Sequence, residues 1–216
     1  MEGLAFPSTY PFTQEIAALE QSAAHVPQHP IVFYGSSSIR LWKNLSQDFP
    51  NYPVVNCGFG GSRLTDCVEY VTPLVLRLKP AAVVIYAGDN DLAQGRLPEQ
   101  ALGSFEQLFR ALRTYSAQMP IAFISVKPAP ARAQNLANIL RFNRLVQDFL
   151  QRQPHTRFID VCPTMLGPDR KPLPGLFASD QIHLSPAGYQ IFQRNVSAFL
   201  ASEVPPGSGP RAEVHP

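Results

Sequence analysis

Twenty-two prolines partition this 216-residue chain, and their positions restrict its architecture more than any other feature. Proline lacks an amide hydrogen and its ring fixes φ, so it is expelled from helix interiors and central strands, and regular elements must fit between prolines. Four short apolar runs follow a proline directly: residues 31–34 after Pro30, 54–55 after Pro53, 81–86 after Pro80 and 121–126 after Pro120. A fifth, weaker run covers residues 157–161. These runs are apolar without strict alternation, the pattern of strands covered on both faces. Between them lie longer segments with apolar residues three or four apart, at 64–78, 99–119, 136–153 and 186–201, and a further helical stretch at 14–24. Strands alternating with helices imply a parallel sheet, and right-handed crossovers place helices on both of its faces. The expected fold class is therefore α/β, a three-layer α/β/α domain around a five-stranded parallel sheet.

The domain is expected to span residues 31–203, with residues 1–30 as a helical extension packed on it. Residues 204–216 read as a flexible tail, because Pro205-Pro206-Gly207-Ser208-Gly209-Pro210 has linker composition. Residues 169–179 form a long proline-rich connection of the kind that is often functional. A hydrophobic content of 45% rules out a disordered chain, and a formal net charge of +2 gives no footing for nucleic acid. No run approaches the roughly 18 apolar residues that a membrane span needs. Cys57, Cys67 and Cys162 contain no C-x-x-C pair, so neither a disulfide framework nor a zinc site is expected. Met1-Glu2-Gly3-Leu4 lacks a basic segment leading into an apolar one, so a cytoplasmic location is expected. Composition leaves a homo-oligomer open.

Ligands of open parallel sheets bind beyond the carboxyl ends of the strands. Gly35-Ser36-Ser37-Ser38 follows the first run, and Asn56, Gly58, Gly60, Gly61 and Ser62 follow the second. Gly88-Asp89-Asn90-Asp91 follows the third and Lys127 the fourth, while Asp180-Gln181-Ile182-His183 lies beyond the fifth. Each piece has an ordinary reading as a turn or a cap. Together they supply a hydroxyl, close-approach glycines, a neutral carboxamide donor and a carboxylate three residues before an imidazole, which are the parts of acyl transfer. The order Ser…Asp…His is that of the α/β-hydrolases, yet their G-x-S-x-G elbow is absent around Ser37.

The assembled pieces resemble the SGNH hydrolases, also called the GDSL esterase/lipase family, in a bacterial esterase-like branch. Phe33-Tyr34-Gly35-Ser36-Ser37-Ser38-Ile39-Arg40-Leu41-Trp42 is similar to the family's first block, and Asn56-Cys57-Gly58-Phe59-Gly60-Gly61-Ser62 to its second. Gly88-Asp89-Asn90-Asp91 and Asp180-Gln181-Ile182-His183 resemble the remaining two. The resemblance implies a flavodoxin-like sheet, no metal and no organic cofactor. It implies Ser37 as nucleophile, His183 as general base oriented by Asp180, and an oxyanion hole from the N–H groups of Ser37 and Gly61 with the Asn90 carboxamide. Ser36 departs from the family pattern, which has aspartate there. The expected activity is hydrolysis of a small-molecule ester with a short acyl group, acetyl or carbohydrate-borne esters included. Lys127, Leu176 and Phe177 are candidates for substrate contact, the last two as an apolar wall.

Three other readings compete. A metal-dependent phosphoesterase would use Asp89, Asp91, Asp180 and His183 as ligands. A nucleotide-binding module fares worse, because the third glycine of the dinucleotide fingerprint is missing after Gly58 and Gly60. A non-catalytic interaction protein is the third. Among other residues, Trp42 reads as core packing, Cys57 as a small buried filler, and Arg110, Arg113, Arg141 and Arg144 as solvated helix faces.

Overall fold

A computed structural model describes residues 12–22 and 26–204. Most of the expected tail and residues 1–11 and 23–25 of the expected extension lie outside the described residues. Five parallel strands, β1 (Ile31–Gly35), β2 (Val54–Gly58), β3 (Ala82–Tyr86), β4 (Ile121–Ile124) and β5 (Thr156–Ile159), pair in the order β2-β1-β3-β4-β5. This is the doubly wound, flavodoxin-like order, with its switch point between β1 and β3. The helices are α1 (Thr13–Ser22), α2 (Ser37–Arg40), α3 (Leu45–Asp48), α4 (Leu64–Leu74), α5 (Asp89–Ala93), α6 (Pro98–Tyr115), α7 (Leu136–Leu150) and α8 (Pro186–Glu203).

Alternation along β1 divides the interior. Val32 and Tyr34 face one core with Leu64, Cys67 and Val71 of α4, Phe105 and Leu108 of α6, Phe142 and Val146 of α7, and Ile16 of α1. Ile31 and Phe33 face the other, with Ile39 of α2, Leu45 of α3, and Phe192, Val196 and Phe199 of α8. The expected three layers follow directly, because both faces of the sheet are apolar and each needs a helical cover. Trp42 anchors the second core: its ring lies 5.6 Å from Phe33 and 5.4 Å from Tyr189, and its N–H donates to Asp48 at 2.6 Å. A buried indole N–H needs such a partner.

Several boundaries shift for identifiable reasons. The segment expected at 64–78 stops at Leu74 and resumes as a 3₁₀ turn, Leu76–Leu78, because Pro73 sits in the last turn of α4 and cannot donate to the carbonyl four residues back. β4 ends at Ile124 rather than 126, because the Asn143 side chain captures both backbone groups of Val126, at 2.8 and 2.9 Å. Arg113 is not a solvated charge. It donates to the carbonyls of Met119, Pro154 and His155 and lies 5.0 Å over the Phe109 ring, tying the α6 exit to the turn before β5. Cys57, Cys67 and Cys162 are all buried free thiols.

Candidate active site

The loops of the site leave the sheet at one level, because Gly35 stands opposite Gly58 on one side and Tyr86 on the other. Gly35 has φ +130°, and a Cβ there would lie 2.0 Å from the Tyr86 carbonyl oxygen, so only glycine lets the chain turn so close to β3. Ser36 then donates its N–H to that oxygen at 2.9 Å, and Ser37 opens α2. Ser36 occupies the N-cap position, but its hydroxyl makes no capping bond. Two side chains brace α2: Asn56 donates to the Ile39 carbonyl at 2.6 Å while accepting from Gly58 N–H at 3.0 Å, and the Tyr189 hydroxyl donates to the Ser38 carbonyl at 3.0 Å.

The acid and base arrive on the loop before α8. Ala178 N–H donates to the His183 carbonyl at 2.8 Å, and Asp180 Oδ1 accepts from the N–H groups of Ile182 and His183, each at 2.9 Å. Gln181, between them, has φ +58°. A left-handed non-glycine residue costs of order 1 kcal/mol and concentrates at functional sites. Asp180 Oδ2 lies 2.6 Å from His183 Nδ1, and His183 Nε2 lies 3.0 Å from Ser37 Oγ. A carboxylate can only accept, so Nδ1 carries the proton and the Nε2 lone pair faces the serine hydroxyl. Hydrogen bonds from His183 first, then from backbone N–H groups, hold the Asp180 carboxyl down at about 2.

The second loop places Gly61 at φ +72°, a left-handed conformation that favours glycine, with nothing within 4 Å of where a Cβ would stand. Its neighbour is tethered: Gly60 N–H donates to Glu15 of α1 at 2.7 Å, and Glu15 pairs with Arg40 at 3.2 Å. Asn90, in the first turn of α5, donates one amide hydrogen to the Ser62 carbonyl at 3.0 Å and thereby ties the third loop to the second. The N–H groups of Ser37 and Gly61 have no hydrogen-bond acceptor among the described residues.

Behind Asn90 lies a buried ion network that corrects an expectation. Lys127 is 1% exposed and donates to Asp89 Oδ2 at 2.9 Å and to the Tyr86 hydroxyl at 3.0 Å. It is part of the scaffold and out of reach of substrate. Burial opposes the charge of Asp89, but Lys127 and then Arg132 outweigh it and lower its pKa. Burial likewise opposes the charge of Lys127, and Asp89 with Tyr86 reverses the effect and raises its pKa. Phe177 is also corrected: at 5% exposure it belongs to the second core and is not open to substrate, whereas Leu176 packs against that core half-buried. Sequence reasoning missed Arg132, which pairs with Asp89 Oδ1 at 2.5 Å and donates to Asn90 Oδ1 at 3.0 Å. No local pattern around Pro130 marks it out, since its partners lie 42 or 43 residues away.

The four acidic and imidazole groups of the metal-dependent reading do not share a point. Asp89 is held by Lys127 and Arg132; Asp91 accepts from Leu64 N–H at 2.9 Å and from Arg96 at 2.8 Å; Asp180 is committed to His183. Among the described residues no group of three or more His, Cys, Asp or Glu side chains is arranged to hold a metal ion. No helix among them is long and apolar enough to cross a membrane.

No curated protein sequence matches the chain. Solved structures do. A GDSL-like lipase from Bacteroides thetaiotaomicron superposes with a TM-score of 0.75 at 20% identity, over 86% of this chain and 97% of that one. A carbohydrate esterase of family 3 from Talaromyces cellulolyticus gives 0.62 at 16% identity, over 79% and 95%. A variant of an acetyl-xylooligosaccharide esterase from Geobacillus gives 0.63 at 16% identity, over 82% and 94%. At such identities these likenesses establish the fold. The profile of the GDSL-like Lipase/Acylhydrolase family matches residues 27–191, the whole of the sheet and all four loops of the site, and the chain therefore belongs to that family.

Proposed function

We propose that this acylhydrolase is a serine esterase acting on short acyl esters, acetylated carbohydrates among them, through an acyl-enzyme on Ser37. The observation that carries the reading is the unbroken contact from Asp180 through His183 to Ser37, at 2.6 and 3.0 Å. His183 takes the Ser37 proton as the oxygen attacks the ester carbonyl, and Asp180 stabilises the imidazolium that forms. The negative oxygen of the tetrahedral adduct is met by the amides of Ser37 and Gly61 and by the second amide hydrogen of Asn90. His183 then protonates the leaving alcohol, and water repeats the sequence on the acyl group. Likeness in fold to a carbohydrate esterase and an acetyl-xylooligosaccharide esterase supports the substrate class.

The test is fluorophosphonate treatment followed by peptide mapping, with a panel of p-nitrophenyl esters of increasing acyl length and an acetylated xylo-oligosaccharide. The expected result is one adduct on the peptide carrying Ser37 and turnover falling as the acyl chain lengthens. An unlabelled Ser37 in an active preparation would overturn the mechanism. A preference for long acyl chains would overturn the substrate class.

A further inference from the structure

We propose that Arg132 is a positioning residue for the oxyanion site, one that orients and polarises the Asn90 carboxamide. The inference rests on the reading of Asn90 as an oxyanion donor.

A carboxamide has one accepting and one donating end, and only the donating end serves a developing negative charge. The environment of Asn90 decides which end faces where. Arg132 Nη2 donates to Oδ1 at 3.0 Å, and the Ser62 carbonyl accepts from Nδ2 at 3.0 Å. A guanidinium has only donors, so it enforces oxygen on its own side and leaves the second Nδ2 hydrogen with no acceptor among the described residues. A charged donor on the amide oxygen also draws electron density from the nitrogen and strengthens that remaining N–H as a donor.

Arg132 is itself held on one side by Asp89 Oδ1 at 2.5 Å, and Asp89 is held by Lys127 at 2.9 Å. Two cations against one carboxylate leave a net positive charge behind Asn90, on the side of its amide oxygen. The same short segment, the 3₁₀ turn Pro130–Asn135, reaches the acid–base loop through Ala131 N–H, which donates to the Gln181 carbonyl at 3.1 Å. Arg132 thus stands on a turn that touches both halves of the site.

The test compares wild type, Arg132→Gln and Arg132→Lys, each with and without Asn90→Ala, on p-nitrophenyl acetate, with thermal melting on every variant. Arg132→Gln is expected to lower kcat about tenfold with KM within about twofold, a fraction of the roughly 10²–10³ that loss of a whole oxyanion donor costs. In the Asn90→Ala background the same substitution is expected to change kcat by less than about twofold, because the group it acts through is gone. Inhibition by a boronic acid, whose tetrahedral adduct places an oxygen in the same site, should weaken in parallel with kcat. Should Arg132→Gln not fold, Arg132→Lys decides: it keeps the charge beside Asp89 but not the planar fork, and a lowered kcat with an unchanged melting temperature supports the assignment. Unchanged kcat in a folded Arg132 variant overturns it, and so does an equal loss in both backgrounds. If instead Asn90→Ala alone leaves kcat unchanged, the oxyanion reading itself has failed, which is a different result.

Discussion

His183 Nε2 and Ser37 Oγ stand 3.0 Å apart although 146 residues separate them in the chain. Neighbouring contacts hold that distance from both sides. Tyr189 of α8 bonds the Ser38 carbonyl at 3.0 Å, and Leu184, directly after His183, is buried in the second core. Ser37 and His183 are therefore docked to each other through α8.

Ser37→Ala removes the oxygen on which the proposed acyl-enzyme forms. Hydrolysis of p-nitrophenyl acetate is expected to fall to the buffer rate, while the melting temperature stays close to wild type, since a small substitution at a half-exposed site costs within about 0.5 kcal/mol. Wild-type turnover by this variant would sink the assignment of nucleophile.

Asn90→Ala is expected to lower kcat by about 10²–10³ with little change in KM, because the proposed oxyanion donor acts on charge that exists only in the transition state. Steady-state kinetics separate the two. A change confined to KM would make Asn90 a ground-state binding residue.

The Asp180 carboxyl is held at about 2 against an ordinary 3.8, so the folded protein favours its ionised form. Its contribution to stability is present in full above about pH 4 and is lost as pH falls through the window from 3.8 towards 2. The difference in urea midpoint between wild type and Asp180→Asn should therefore shrink as pH is lowered through that window. A difference that does not vary with pH would contradict the geometry.

Lys127→Met leaves the Asp89 carboxylate buried with Arg132 as its only cation. Removing one partner of a buried pair costs about 3–5 kcal/mol, which urea unfolding would read directly. Adding Asp89→Asn should restore part of the loss. A cost under about 1 kcal/mol would mean that Lys127 is dispensable to the fold.

Strands β1, β3 and β4 were legible because they are buried on both faces and entered after a proline, a local signal that needs no partner; β5, half-exposed at the sheet edge, gave the weakest run. The short helices α2, α3 and α5 were not, since four or five residues carry no periodicity. The contact between Asp180 and His183 could be read because a carboxylate and an imidazole three residues apart form a local pattern, while Ser37 was singled out by the resemblance of its block to the family's. Lys127 misled for the opposite reason. A cation after a strand looks the same whether it faces solvent or a buried carboxylate, and its partner Asp89 is 38 residues away. Arg113 and Arg132 stayed obscure on the same ground, their roles being set by carbonyls and carboxylates from distant loops.

Asp180 and His183 share one short turn, whereas Ser37 belongs to a separate helix. Any swing of that turn would lengthen the gap to the serine and leave the carboxylate–imidazole couple intact. The carboxylate–imidazole distance is thus set within one local turn, whereas the imidazole–serine distance is set by how that turn packs against the rest of the domain.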